Sequence, residues 1–496
     1  MNIQEAKQEI INTVRAYTLK DETGAYRIPP EKQRPMLLVG PPGIGKTAIL
    51  QQVAQELHIG LVSYTITHHT RQSAIGLPLI VKKQYGGREY SATEYTMSEI
   101  IASVYDEIDR TGVSEGILFL DEINCVSETL APTMLQFLQY KTFGSHKVPD
   151  GYVIVTAGNP PEYNKSVRDF DIVTLDRVRK IEIEEDFDVW KRYAVQNGVH
   201  GAILSYLSIH RDRFYSIRME VEDKYFVTAR GWEDLSRILS AYEALHLPIT
   251  RDLCGEYLQD PEIAKDFADY YALYEKYRED YRVEDILEGH YSDRSLKVGG
   301  APFDEKLSLI GLLSDSLNQE FRAYGEDCDV QKAVFTELKA IRDDSGAFLP
   351  ALSACIQRRK QALQEGTASG ILSPENLRCQ KKTLAALEEL ESFAKKEASP
   401  DFSMAKAWFA DRERARGAAV KQTSDHLSHA FEFLARCFGE GQEMVIFLSE
   451  LAGSSHALRF IRECGSDAYY RYNKLLLLQD RQEELTKEVS EVLMNL

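Results

Sequence analysis

No apolar stretch in the chain approaches the roughly 20 residues that a membrane-crossing helix requires, which excludes a helical span. The seven cysteines are odd in number, scattered, and form no C-x-x-C pair. That pattern argues against a disulfide framework and for reduced thiols. The opening MNIQEAKQEI has neither the basic nor the apolar region of a secretory signal, so a cytoplasmic protein is expected. Lysine and arginine total 59 against 77 aspartate and glutamate, a net charge of −18, and no basic run is long enough to offset it. A surface that acidic repels a phosphate backbone, so nucleic acid is an unfavoured partner. Neither a fixed-period repeat nor a low-complexity tract occurs.

What is present is a chain of 496 residues, too long for one core and consistent with two or three domains. Its most informative stretch is MLLVGPPGIGKTAIL, residues 36–50. Met36 to Val39 read as a short buried strand, and a helix is predicted from Lys46 to about Leu57. Between them Gly40, Pro41, Pro42, Gly43, Ile44, Gly45, Lys46, Thr47 and Ala48 follow the pattern G-x-x-x-x-G-K-T. The glycines let the backbone turn its N–H groups toward an anion, and the helix dipole points at the same place. Lys46 is the cation for the β- and γ-phosphates, and the Thr47 hydroxyl a ligand for Mg²⁺.

Further along, GLVSYTIT (60–67) reads as a second strand, and Gly86-Gly87 joins the arms of a β-hairpin. A helix is predicted over 97–110. Ile117 to Leu120 form a strand buried on both faces and ending in Asp121-Glu122. Ser127 reads as a helix cap, with Pro132 disturbing the interior that follows. GYVIVTAGNP (151–160) is another buried strand, and 178–185 is the last, near an edge. Strand and helix alternating this way predict a three-layer α/β domain over 1–185 with a parallel sheet. From Phe187 strand signals fade; 186–250 reads as a small helical bundle and 251–496 as an all-helical C-terminal region. Residues 290–303 read as a linker with Gly299-Gly300 as its hinge.

A phosphate cradle needs a metal organiser and a group that aims water. Asp121, at the end of its strand, suits Mg²⁺, and Glu122 beside it suits the general base. Asn159 ends the next strand, where its amide can meet both water and γ-phosphate, or instead cap the Pro160-Pro161 turn. Positive charge for the transition state comes from an arginine. LDRVRK offers Arg177 or Arg179, and TARGWEDLSR offers Arg230.

In this order the parts resemble the AAA+ superfamily, and within it the MoxR-type and dynein-related branch, over about residues 30–245. Gly40–Thr47 resembles Walker A, ILFLDEIN (117–124) Walker B, and Asn159 sensor 1. The LDR element resembles the arginine-finger segment, pointing to Arg177, and VTARGWEDL resembles sensor 2, pointing to Arg230. The hairpin before the Walker B strand and TFGSHKVPDG (142–151) resemble the branch's two β-hairpin insertions. The resemblance implies a P-loop NTPase core with a helical lid, ATP and Mg²⁺ as ligands, and a homo-oligomeric ring, usually a hexamer. It further implies chaperone-like remodelling of a protein client, frequently one with a von Willebrand factor A domain.

Two other readings stay open: a nucleotide-gated adaptor that hydrolyses slowly, and a nucleic-acid-linked motor. His68-His69 lie adjacent on a predicted strand and so point oppositely, which favours a pore or interface segment over a metal site. His426 and His429 share a helix face with no acidic partner evident in sequence, and read as solvated.

Overall fold

In a computed structural model the described residues are 1–66, 76–163, 172–219, 224–343, 347–369, 373–396 and 400–474. The chain divides into two compact units, 1–189 with 364–375, and 190–363 with 376–496.

The first unit is built on a five-stranded sheet in the order β2-β5-β8-β1-β9, with every neighbouring pair parallel. These strands are β1 (Met36–Val39), β2 (Gly60–Thr65), β5 (Gly116–Asp121), β8 (Tyr152–Gly158) and β9 (Arg179–Glu182). A parallel strand covered on both faces needs apolar side chains in both registers. β5 supplies them: Leu118 and Leu120 join one core while Ile117 and Phe119 join the other. Helices Glu99–Thr111 and Ala131–Tyr140 cover the first face; Ile3–Thr18 and Lys46–Leu57 cover the second. The first helix starts on a capping box in which Asn2 and Glu5 satisfy each other's backbone N–H. His68-His69, and the end of the strand predicted over 60–67, fall in 67–75, outside the described residues.

Two hairpins leave this core. β3 (Pro78–Tyr85) and β4 (Arg88–Tyr95) turn at Gly86-Gly87, and β6 (Thr142–Phe143) and β7 (His146–Lys147) form a shorter pair. Ser127 does not cap a helix: its carbonyl accepts from Leu130 and Ala131 in a turn, and the helix begins at Ala131. Pro132 therefore sits in the first turn, where its missing N–H costs nothing.

Lys141 closes that helix in the left-handed region at φ 56° and is 3% exposed. Its ammonium donates to Gln33 Oε1 at 2.9 Å, and the Gln33 amide donates to the carbonyls of Tyr17 and Ile28. Burial pushes the Lys141 pKa down to about 8, against the pull of Asp150. An unfolded lysine titrates near 10.4, so between about pH 8 and 10 the unfolded chain holds more protons and stability rises with pH. Stability is then fullest above the unfolded pKa and falls as pH drops through about 8. Denaturant unfolding of the first unit should gain on the order of 2 kcal/mol over that window relative to Lys141→Met. Equal pH slopes in the two proteins would contradict this.

In the second unit, helices Phe303–Asp343 (41 residues) and Phe402–Phe438 (37 residues) are the longest elements. Strand is not absent after 187: β10 (Ser216–Met219) pairs antiparallel with β11 (Lys224–Val227). β11 is also bridged to Gln259 through Phe226. Alternation over only four residues each explains why the sequence hid this hairpin. Residues 290–303 are folded, not a hinge. They form Asp293–Leu296 and a 3₁₀ turn Lys297–Gly300, Val298 is 1% exposed, and Gly299 lies against the Cys437 carbonyl. His426 is likewise buried, not solvated. It bridges Glu320 at 2.7 Å and Glu288 at 3.3 Å, carboxylates from distant sequence. Among the described residues no single helix is long and apolar enough to cross a membrane. The bent pair Gln442–Gly453 and Ser455–Cys464 passes that test together, but buries Phe447, Leu448, Leu451, Phe460 and Ile461 within this unit.

Candidate nucleotide site

The sheet order decides which loops can meet. β8 lies between β1 and β5, so the loop after β1 and the acidic pair after β5 flank the end of β8. In open α/β sheets the crevice beyond the carboxyl ends of the strands is where ligands bind.

The loop turns as its glycines allow: Gly43 has φ +76° and Gly45 φ +96°, the left-handed region that side chains disfavour. Gly40 is required for another reason, since a Cβ there would lie 2.6 Å from the Ile183 carbonyl. Helix Lys46–Leu57 starts directly on Gly45, and no side chain caps its first turn. An uncapped helix start above a glycine cradle fits a phosphate chain.

Lys46 Nζ donates to Gly40 O at 2.7 Å, Pro41 O at 2.8 Å and Asn159 Oδ1 at 2.8 Å. The Asn159 side chain thus faces the loop rather than capping the Pro160-Pro161 turn. Thr47 Oγ1 lies 3.4 Å from Asp121 Oδ2, while Asp121 Oδ1 accepts from the Glu122 N–H at 2.9 Å. Two hard oxygen donors facing each other suit Mg²⁺. Glu122 is half-buried at φ 56°, ψ 38°, a conformation uncommon outside glycine and frequent at functional sites. Its carbonyl accepts from Cys125 N, closing the turn Ile123–Cys125.

Lys46, Thr47, Asp121 and Asn159 therefore converge, with Glu122 one residue on from Asp121. Arg177 and Arg179 have other partners. Arg177 ends the helix Ile172–Arg177 and donates to Val173 O at 3.4 Å. Arg179 is engaged elsewhere, on Glu9 and on Thr13 Oγ1 at 2.6 Å. Arg230 is exposed in the first turn of Ala229–Ala244, in the other compact unit. Sequence reasoning missed Asn124, whose Nδ2 donates to Asn159 O at 2.7 Å. Its place two residues after Glu122 was visible, its partner was not.

Two comparisons bear on this geometry. Over 223 residues the chain is 25% identical to the Replication factor C large subunit of Pyrobaculum aerophilum, covering 42% of this chain and 46% of that protein. The chain thus spans less than half the length of that relative. Residues 36–175, which run from β1 into the short helix that ends at Arg177, match the ATPase family associated with various cellular activities (AAA), so the chain carries an AAA ATPase domain on its parallel sheet.

Proposed function

We propose that this chain binds and hydrolyses ATP with Mg²⁺, assembles as a ring of copies, hexameric in the family pattern, and uses the cycle to remodel a partner protein. The observation that carries the proposal is the Lys46 ammonium held between the glycine loop and Asn159, beside Thr47 and Asp121. Gly40 to Ala48 cradle the phosphates through backbone N–H groups. Lys46 exchanges its carbonyl and amide acceptors for phosphate oxygens, which are charged and bind it more strongly. Thr47 and Asp121 would hold Mg²⁺, which would supply neutralisation of phosphate charge. Glu122 accepts the proton of the attacking water, Asn159 aligns that water, and Arg177 of a neighbouring copy and Arg230 complete the positive charge.

The output side of the proposal rests on the first unit's hairpins. The helix after the acidic turn leads through Lys141 into β6–β7, and His146 contacts the Tyr95 carbonyl at the base of the long β3–β4 hairpin at 3.1 Å. Leu79, Ile80, Tyr85 and Tyr90 on that hairpin are exposed, a surface suited to gripping a protein. We assign residues 186–250 as the lid and 251–496 as the region that selects the client, for which a von Willebrand factor A domain is one form.

Titration calorimetry with MgATP tests the proposal: binding heat is expected, and Lys46→Ala should abolish it. At one hundred times Kd, ATP should stabilise the first unit by about 2.7 kcal/mol. No heat from ATP or GTP would end the nucleotide reading. The similarity to a replication factor subunit supports a second reading, a clamp-loader-type ATPase. ATP turnover stimulated by DNA and falling steeply with salt would favour it over the protein remodeler.

A further inference from the structure

We infer that Asn124 is a positioning residue for hydrolysis, which clamps the Asn159 backbone to the turn carrying Glu122. The inference rests on the ATP-hydrolysis reading above.

Asn124 is 7% exposed in the turn Ile123–Cys125, directly after Glu122. Its Nδ2 donates to the Asn159 carbonyl at 2.7 Å, linking the acidic turn to the end of β8. The amide lies flat on the strand end. A Cβ on Gly158 would come within 2.7 Å of Asn124 Oδ1 and 3.1 Å of Nδ2. Gly158 therefore leaves the room that lets this amide reach Asn159.

The other half of the amide is informative. Asn124 Oδ1 is buried and has no hydrogen-bond partner among the described residues. A buried acceptor without a donor is destabilising, and an apolar side chain of similar size would avoid that cost. The residue is thus poorly chosen for stability alone and well chosen for its N–H. What that N–H fixes is a backbone whose own side chain meets Lys46 at 2.8 Å. One path of chain and hydrogen bonds runs from Glu122 through Asn124 and Asn159 to Lys46, joining the proposed water-activating group to the proposed phosphate-binding group. Group separation along such a path sets turnover more than nucleotide affinity, because misplacement by an ångström costs rate at the reacting atoms.

The full chain, assayed with saturating MgATP, provides the test. Asn124→Asp keeps the shape and removes the donor, so it should lower kcat on the order of 10- to 100-fold. ATP affinity should change by less than about threefold, since the ground-state contacts are retained. Asn124→Ala serves as the second variant, with thermal melting reporting its fold. Because Asn124 acts through Asn159, adding Asn124→Asp to Asn159→Ala should cost nothing further. Wild-type kcat in Asn124→Asp, or losses that multiply in the double variant, would overturn the inference while leaving the ATPase reading intact. Wild-type protein that neither binds nor hydrolyses ATP would defeat both, and is told apart by the wild-type arm alone.

Discussion

Glu122→Gln is expected to lower ATP turnover on the order of 10²- to 10⁴-fold while leaving ATP binding in place. Glu122 follows directly on the strand that ends in Asp121, yet its φ of 56° turns the chain out of the strand. Its N–H is taken by Asp121 Oδ1, which fixes the root of the Glu122 side chain against Asp121. Glutamine fills the same space and keeps that backbone bond, but its amide cannot accept a proton from water. Binding depends on the loop and on Lys46, which the change does not touch. Phosphate release measured in steady state, beside calorimetric ATP affinity, separates the two effects. A Glu122→Gln protein that turns over at the wild-type rate would show that another group activates the water. The same variant should retain ATP-bound assemblies long enough for a client to co-purify.

What the sequence disclosed and what it withheld follow from the range of the interactions. The strand–glycine loop–helix was legible because its requirements are local: left-handed glycines, a strand before and a helix after. β5 and β8 were legible because strands buried on both faces must be apolar throughout. By residue chemistry alone Arg177 and Arg179, two residues apart, could not be separated in sequence; only the resemblance pointed to Arg177. Only the packing of Ile3–Thr18 on the sheet engages Arg179 with Glu9, 170 residues away. His426 looked solvated for the same reason: Glu320 and Glu288, which hold it, are over one hundred positions distant. The 290–303 segment shows the opposite failure. Its glycines and polar residues matched a linker, but Gly299 is there for close approach to Cys437, not for freedom. Short-range chemistry was readable and long-range partnership was not.

Arg177→Ala is expected to cost on the order of 10³-fold or more in turnover of the assembled protein, again without loss of ATP binding. Arg177 and Arg179 each hydrogen-bond to groups other than Lys46 and Asp121, and the proposed reaction still calls for a transition-state cation. Arg179 is committed to Glu9 and Thr13, and its removal should act on the fold of the first unit instead of on catalysis. Arg177 hydrogen-bonds its own helix through Val173, a weak contact at 3.4 Å that a phosphate oxygen would outcompete. Arg177→Lys should not restore the rate, because a point charge lacks the planar fork. Mixing supplies the sharpest test. A Lys46→Ala copy has no working site but a good arginine, and an Arg177→Ala copy has the reverse. Mixed assemblies should therefore recover turnover that neither variant shows alone, at interfaces where an intact site meets an intact arginine. Should a dilute monomer hydrolyse ATP as fast as the assembly, the arginine would have to act within its own copy, and the ring would lose its catalytic reason.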